Sequence, residues 1–310
     1  MKKVFVAGHT GLIGSAVSEA ILKDKKFELV TSLRADLDLN AYEEVRKFFD
    51  LHRPDYVVLA AGRVGGILEN KSFPFDFITS NLSVQLNVIR AAVEYDVERT
   101  ILFGSSCMYP KHCDQPMRED QLLTGKPEVT SISYAISKLA GVELCSAYNR
   151  EFKDNRFLPL IPNSVYGPND NFDPSSGHVL SSLIKKFHEA KVNNVNSISL
   201  WGSGNPRREF LFSRDLAEIV INLLDKNVDV EDMPLNVGVG FDHSIKELSE
   251  IIKSIIGFQG EVTWDDSKPD GAMQKLLDST RIQKYLTIPK TDLVGGIHQT
   301  YQWFLDNEVS

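Results

Sequence analysis

The feature that most constrains this chain is Gly8-His-Thr-Gly11-Leu-Ile-Gly14, set between the apolar run Val4-Phe-Val-Ala7 and an amphipathic stretch over residues 16–22. A strand that ends in a glycine-spaced turn and opens directly into a helix offers backbone N–H groups and a helix N-terminus to an anion. That is the geometry of a dinucleotide pyrophosphate site. The glycines are three residues apart at each step, unlike the Gly-x-Gly-x-x-Gly form. Apolar runs and amphipathic segments then keep alternating: 28–31 with 42–50, 56–60 with 83–95, and 100–103 with 134–148. The alternation predicts an α/β fold, a doubly wound parallel sheet of Rossmann type with crossover helices on both faces.

The Gly- and Pro-rich stretch from Tyr166 to His178 interrupts this pattern. It divides the sequence into a dinucleotide-binding domain over 1–165 and a smaller C-terminal substrate lobe over 166–310. A helix at 213–224 and the apolar string Leu235-Asn-Val-Gly238 predict a return to the first sheet near 210–240. A chain of 310 residues, 42% hydrophobic and 25% charged, has room for such a core and lobe. The net charge of −8 argues against broad nucleic-acid binding and requires a local Arg/Lys cluster for any anionic ligand. Cys107, Cys113 and Cys145 have neither metal-ligand spacing nor a secreted disulfide pattern, so no metal and a reducing, cytoplasmic setting are expected. Met1-Lys-Lys leads straight into a strand, and no apolar run approaches a membrane span, so no membrane association is expected.

The candidate chemistry lies in Tyr134-Ala-Ile-Ser-Lys138, downstream of Gly104-Ser105-Ser106-Cys107. On a helix Tyr134 and Lys138 stand one turn apart, so the ammonium is expected to pull the phenol below its ordinary pKa of about 10. A phenolic proton donor beside a dinucleotide loop suggests hydride transfer to or from a carbonyl, with Ser105 steadying the same oxygen. After the second strand the sequence reads Thr31-Ser-Leu-Arg34, where an arginine suits a 2′-phosphate and so favours NADP(H); a solvated surface arginine is the alternative.

These segments, together with Arg63-Val-Gly-Gly-Ile67, Tyr166-Gly-Pro-Asn-Asp-Asn-Phe172, Trp201-Gly-Ser-Gly204, Arg208-Glu-Phe210 and Pro269-Asp-Gly271, resemble the extended short-chain dehydrogenase/reductases. The Cys107 and His178 segments are similar to the branch that epimerises and reduces GDP-4-keto-6-deoxy sugars. The resemblance implies a GDP-sugar substrate, GDP-4-keto-6-deoxy-mannose first, with NADPH as donor and a homodimer as the working unit. It further implies that Cys107 and His178 exchange protons at the sugar carbons, that Tyr134 protonates the carbonyl oxygen, and that Lys138 holds the cofactor ribose. The cofactor would be held by Gly8, His9, Thr10, Gly11, Leu12, Ile13, Gly14, Arg34 and Lys138, and the nucleotide sugar by Lys186, Trp201 and Arg208.

Lys186 could equally be part of a solvated Lys185-Lys186 face. Thr10 stands where the family usually carries an arginine, which leaves Arg34 as the expected 2′-phosphate contact. Ser164, Phe212, Arg214 and Gln274 also depart from the family pattern and are expected near the substrate. Colitose- or heptose-type GDP-4-keto sugars, or a noncatalytic NADP-binding regulator, remain alternatives.

Overall fold

The computed structural model describes residues 1–174, 176–230, 233–268 and 270–309; Pro269, part of the Pro269-Asp-Gly271 segment, lies outside them. Six parallel strands form the main sheet in the order Leu235–Val237, Phe157–Pro162, Arg99–Phe103, Tyr56–Leu59, Lys2–Ala7, Phe27–Val30. Both faces are covered, which is why Val4–Ala7 and Tyr56–Leu59 read as unbroken apolar runs and not as an alternation. Val4, Val6 and Val58 pack with Val17 and Ile21 of helix Leu12–Asp24 and with Leu216 and Val220 of helix Ser213–Leu224. On the opposite face Phe5, Val57 and Leu59 pack with Phe49, Val84, Val88 and Cys145 from helices Tyr42–His52, Pro74–Glu94 and Ile132–Phe152.

The strand order reverses between Lys2–Ala7 and Tyr56–Leu59, so the crevice at their carboxyl ends is a topological switch point, where such sheets take ligands. Two glycines make the turn there possible. Gly8 has φ +85, and a Cβ on it would come within 2.7 Å of Ala61 N; a Cβ on Gly14 would stand 2.0 Å from Gly8 O.

A third core gathers Tyr166, Leu180, Ile184, Phe187, Phe210, Leu248, Ile252 and Phe304. Around it lie helices Val179–Val192, Ile245–Ile256 and Leu293–Glu308, and the paired strands Ser197–Trp201 and Glu261–Asp265. A small sheet sets Arg207–Arg208 between His243–Ser244 and Gln274–Lys275, with Lys275 in register with Arg208. No helix among the described residues is long and apolar enough to cross a membrane.

Candidate active site

Ser105, Cys107, Tyr134 and His178 are delivered by the carboxyl end of a strand or the start of a helix. Strand Arg99–Phe103 runs into Gly104 and the 3-10 turn Ser106–Met108, which Ser105 caps by accepting from Cys107 N at 3.2 Å. Helix Ile132–Phe152 then lays Tyr134 and Lys138 beside that turn. Ser105 lowers the pKa of both the Tyr134 phenol and the Cys107 thiol, so the reduction and proton-exchange candidates share one polar neighbour. His178 arrives from the other side as the N-cap of helix Val179–Val192, with its Nδ1 3.6 Å from Asp170 Oδ1. Asp170 is buried and its second oxygen accepts from Ser181 Oγ.

The electrostatics of Tyr134 differ from the sequence expectation. Burial, then the neighbouring Cys107, push the phenol well above its ordinary value, against the lowering effect of Ser105. Lys138 is one helical turn away, but its Nζ donates to Phe103 O at 3.0 Å and lies 5.9 Å from the Tyr134 ring centroid. Burial draws this ammonium down to about 8, so it does little to stabilise a phenolate. Tyr134 is therefore held as the protonated phenol.

Cys107 and His178 are driven in opposite senses. Burial opposes a Cys107 thiolate, but the Lys275 ammonium, hydrogen bonds from Ser105 and Lys275, and the charge of His178 outweigh it and pull the thiol below its ordinary range. His178 is raised by its hydrogen bond to Asp170 against desolvation, with further help from the charges of Asp170 and Cys107. A thiol favoured as thiolate faces an imidazole favoured as imidazolium.

At the switch point, Gly8 through Gly14 form the turn and first helical turn, with Gly11 as N-cap. The Leu12–Asp24 N-terminus has no side-chain cap and no acidic residue in its first turn. A Cβ on Gly11 would meet only Gly8 O, at 3.7 Å, and the Gly11 N–H closes the turn by donating to that same carbonyl at 3.1 Å. These residues fit a dinucleotide pyrophosphate. Arg34 is exposed beyond strand Phe27–Val30, where its charge lowers the Asp38 carboxyl behind that carboxyl's bonds to Asn40.

On the lobe, Arg208 is half-buried beside Lys275; its Nη1 donates to Arg207 O at 2.7 Å, and burial lowers its pKa while the Cys107 charge raises it. Lys186 Nζ donates to Ser199 O at 2.5 Å, on the strand that ends at the 64% exposed Trp201. Three of the departures expected near the substrate are accounted for elsewhere. Arg214 pairs with Glu19 at 3.1 Å on the outer side of the first helix, Phe212 packs against Tyr166 in the lobe core, and Ser164 joins strand Ser164–Tyr166, which pairs with Phe210–Phe212. The chain turns into helix Ser213–Leu224 immediately after Phe212, which rotates Arg214 toward Glu19. Gln274 does belong to the site's small sheet, paired with Arg207 and donating to Asp242 Oδ2 at 2.6 Å.

Residues 4–238 match the family described as NAD dependent epimerase/dehydratase. The chain belongs to that family. Its relatives within the epimerase/dehydratase family include a probable GDP-L-fucose synthase 1 of Oryza sativa subsp. japonica, 46% identical over 99% of this chain and 93% of that protein. The GDP-L-fucose synthase of Escherichia coli strain K12 is 42% identical over 99% of this chain and 98% of its own. Among solved structures, a GDP-mannoheptose C4 reductase from Campylobacter jejuni with NADP bound superposes with a TM-score of 0.88, at 34% identity and over 98% of each chain. Two residues of the site carry no family-independent signal in the sequence. Asp170 lies inside the Gly/Pro-rich stretch, and Lys275 reaches Cys107 across 168 residues. Among the described residues no group of His, Cys, Asp and Glu could hold a metal ion.

Proposed function

We propose that the chain is an NADPH-dependent epimerase/reductase that converts GDP-4-keto-6-deoxy-mannose to GDP-L-fucose. The observation that carries this reading is that an oppositely biased Cys107/His178 pair stands beside Ser105 and Tyr134. Identities of 42–46% to several GDP-L-fucose synthases over nearly the whole chain support the fucose precursor, while a colitose synthase and heptose reductases at 34% are further relatives.

In this reading the C4 ketone acidifies the C3 and C5 protons, Cys107 removes them and His178 returns protons from the opposite face. When bound, NADPH supplies the hydride to C4. Tyr134 then gives its proton to the C4 oxygen, while Ser105 hydrogen-bonds that oxygen and holds it in line. Lys138 holds the cofactor ribose, Gly8 to Gly14 cradle the pyrophosphate, and Arg208, Lys186 and Trp201 receive the GDP-sugar. Comparing kcat/KM across GDP-4-keto-6-deoxy-mannose, its 3-deoxy and heptose counterparts, and UDP or dTDP analogues tests the reading. The fucose precursor should be preferred. A clear preference for a heptose or a UDP sugar overturns it.

Cofactor choice rests on Arg34, because Thr10 offers no charge in the glycine loop. Arg34→Ala should reduce the kcat/KM preference for NADPH over NADH by about ten- to a hundredfold, chiefly through KM, since one charged contact is worth about 1.5–3 kcal/mol. An unchanged preference removes Arg34 from the 2′-phosphate site.

We also propose a homodimer, supported by an apolar stripe on helix Pro74–Glu94, where Phe75, Leu82 and Leu86 are 74%, 37% and 45% exposed, beside the 44% exposed Ile136. Leu82→Glu together with Leu86→Glu should halve the mass measured by light scattering; a wild-type monomer contradicts this assignment. The free Cys107, Cys113 and Cys145 fit a reducing compartment, and we place the enzyme in the cytoplasm.

A further inference from the structure

Lys275 presents its ammonium directly to a reacting atom, yet the chemistry above gives it no task. Its Nζ donates to Cys107 Sγ at 3.6 Å. The backbone beneath it is fixed on several sides. Lys275 pairs with Arg208, its carbonyl accepts from Asn163 Nδ2 at 3.0 Å and from Glu209 N at 3.3 Å, and Leu276 N donates to Gln115 Oε1 at 2.9 Å. Asn163 is itself held by the fully buried Glu209 carboxylate at 2.7 Å, which also accepts from Gly240 N at 2.7 Å and Leu277 N at 3.0 Å. The side chain thus leaves a rigid strand for a rigid turn.

Resting on the epimerase reading above, we propose that Lys275 is a positioning residue that holds Cys107 as a thiolate, ready for the proton abstraction already assigned to it. A cation 3.6 Å from sulfur in a cleft of low dielectric favours the thiolate by direct Coulomb attraction and by an N–H···S bond. The other groups facing the thiol are Ser105 from its own turn, Tyr134 from helix Ile132–Phe152, His178 from the Gly/Pro-rich segment and Arg208 from the neighbouring strand. Arg208 already gives Nη1 to its neighbour's carbonyl, whereas Lys275 makes its bond to the sulfur itself. The buried Asp170 faces His178 and biases that ring the other way.

In the step itself the thiolate lone pair takes the proton from C3 or C5, and the C–H electrons pass into the C4 carbonyl as an enolate. The His178 imidazolium reprotonates the carbon from the opposite face, leaving a thiol and a neutral imidazole that regain their starting states by proton exchange with water.

Alkylation of the free protein by iodoacetamide, read on the Cys107 peptide by mass spectrometry across pH, tests this without any sugar. Lys275→Met and Lys275→Gln should each shift the Cys107 profile to higher pH and slow alkylation at pH 7 by about tenfold or more, whereas Lys275→Arg should keep the wild-type profile. Melting curves identify a truncation that unfolds the protein, and the other truncation then carries the comparison. In parallel, deuterium wash-in at C3 and C5 by Lys275→Met should fall by about tenfold at pH 7, with the acidic limb of its pH profile moved to higher pH. An unshifted alkylation profile in a folded truncation overturns the proposal, as does a variant that loses only KM for the GDP-sugar. Because alkylation needs no substrate, it separates a failure at Lys275 from a failure of the sugar assignment.

Discussion

Tyr134→Phe is expected to lower kcat for NADPH oxidation by about two to four powers of ten, the usual scale for deleting a positioned acid. Burial keeps the Tyr134 hydroxyl protonated, so it stands ready as a donor in the direction of ketone reduction and needs no help from a nearby cation. The ring rests edge-on against Phe77, with centroids 6.3 Å apart, and Phe preserves that contact, so the defect should be chemical and not structural. Deuterium exchange at C3 and C5 should continue at near the wild-type rate, because Cys107 and His178 remain. Stopped-flow NADPH absorbance and NMR of the sugar in deuterated water measure the two processes separately. Normal reduction by Tyr134→Phe would remove it as the proton donor.

Cys107→Ser should give the reciprocal defect, with exchange at C3 and C5 falling by about two to four powers of ten because an alkoxide is far less accessible than a thiolate near neutral pH. Any residual reduction should then yield an unepimerised 6-deoxy sugar. Wild-type exchange should be bell-shaped in pH. Its acidic limb follows formation of the Cys107 thiolate and lies below the ordinary thiol range, since that pKa is lowered. Its basic limb follows loss of the His178 proton and lies above the ordinary imidazole value, since that pKa is raised. Asp170→Asn removes the carboxylate responsible and should move the basic limb to lower pH, leaving the acidic limb in place. Full exchange in Cys107→Ser would exclude the thiol as the base.

The parallel sheet was legible because periodicity and burial carry it. Runs such as Val4–Ala7 and Tyr56–Leu59 can be apolar throughout only if both faces are covered, and Gly8 and Gly14 sit where a Cβ would collide with backbone. Local motifs likewise put Ser105, Cys107, Tyr134 and Lys138 close together, because two short elements deliver all four. Orientation was less legible. Helical spacing placed Lys138 one turn from Tyr134 but said nothing of the Phe103 carbonyl that draws its ammonium away, nor of burial that raises the phenol. Arg214 shows the same limit: its departure from the family pattern suggested the substrate, while the start of a helix directs it to Glu19. Lys275 was beyond reach of any local pattern, since its position depends on pairing with Arg208 and on the buried Asn163–Glu209 contact.

The most direct test of the central claim, that one site both epimerises and reduces, is to run wild-type protein with GDP-4-keto-6-deoxy-mannose and NADPH in deuterated water and locate the label in the product by NMR. The account predicts GDP-L-fucose carrying deuterium at both C3 and C5, with one NADPH consumed per molecule and no solvent deuterium on C4. Product reduced at C4 but unlabelled at C3 and C5 would contradict it, leaving a reductase in which Cys107 and His178 take no part in proton exchange.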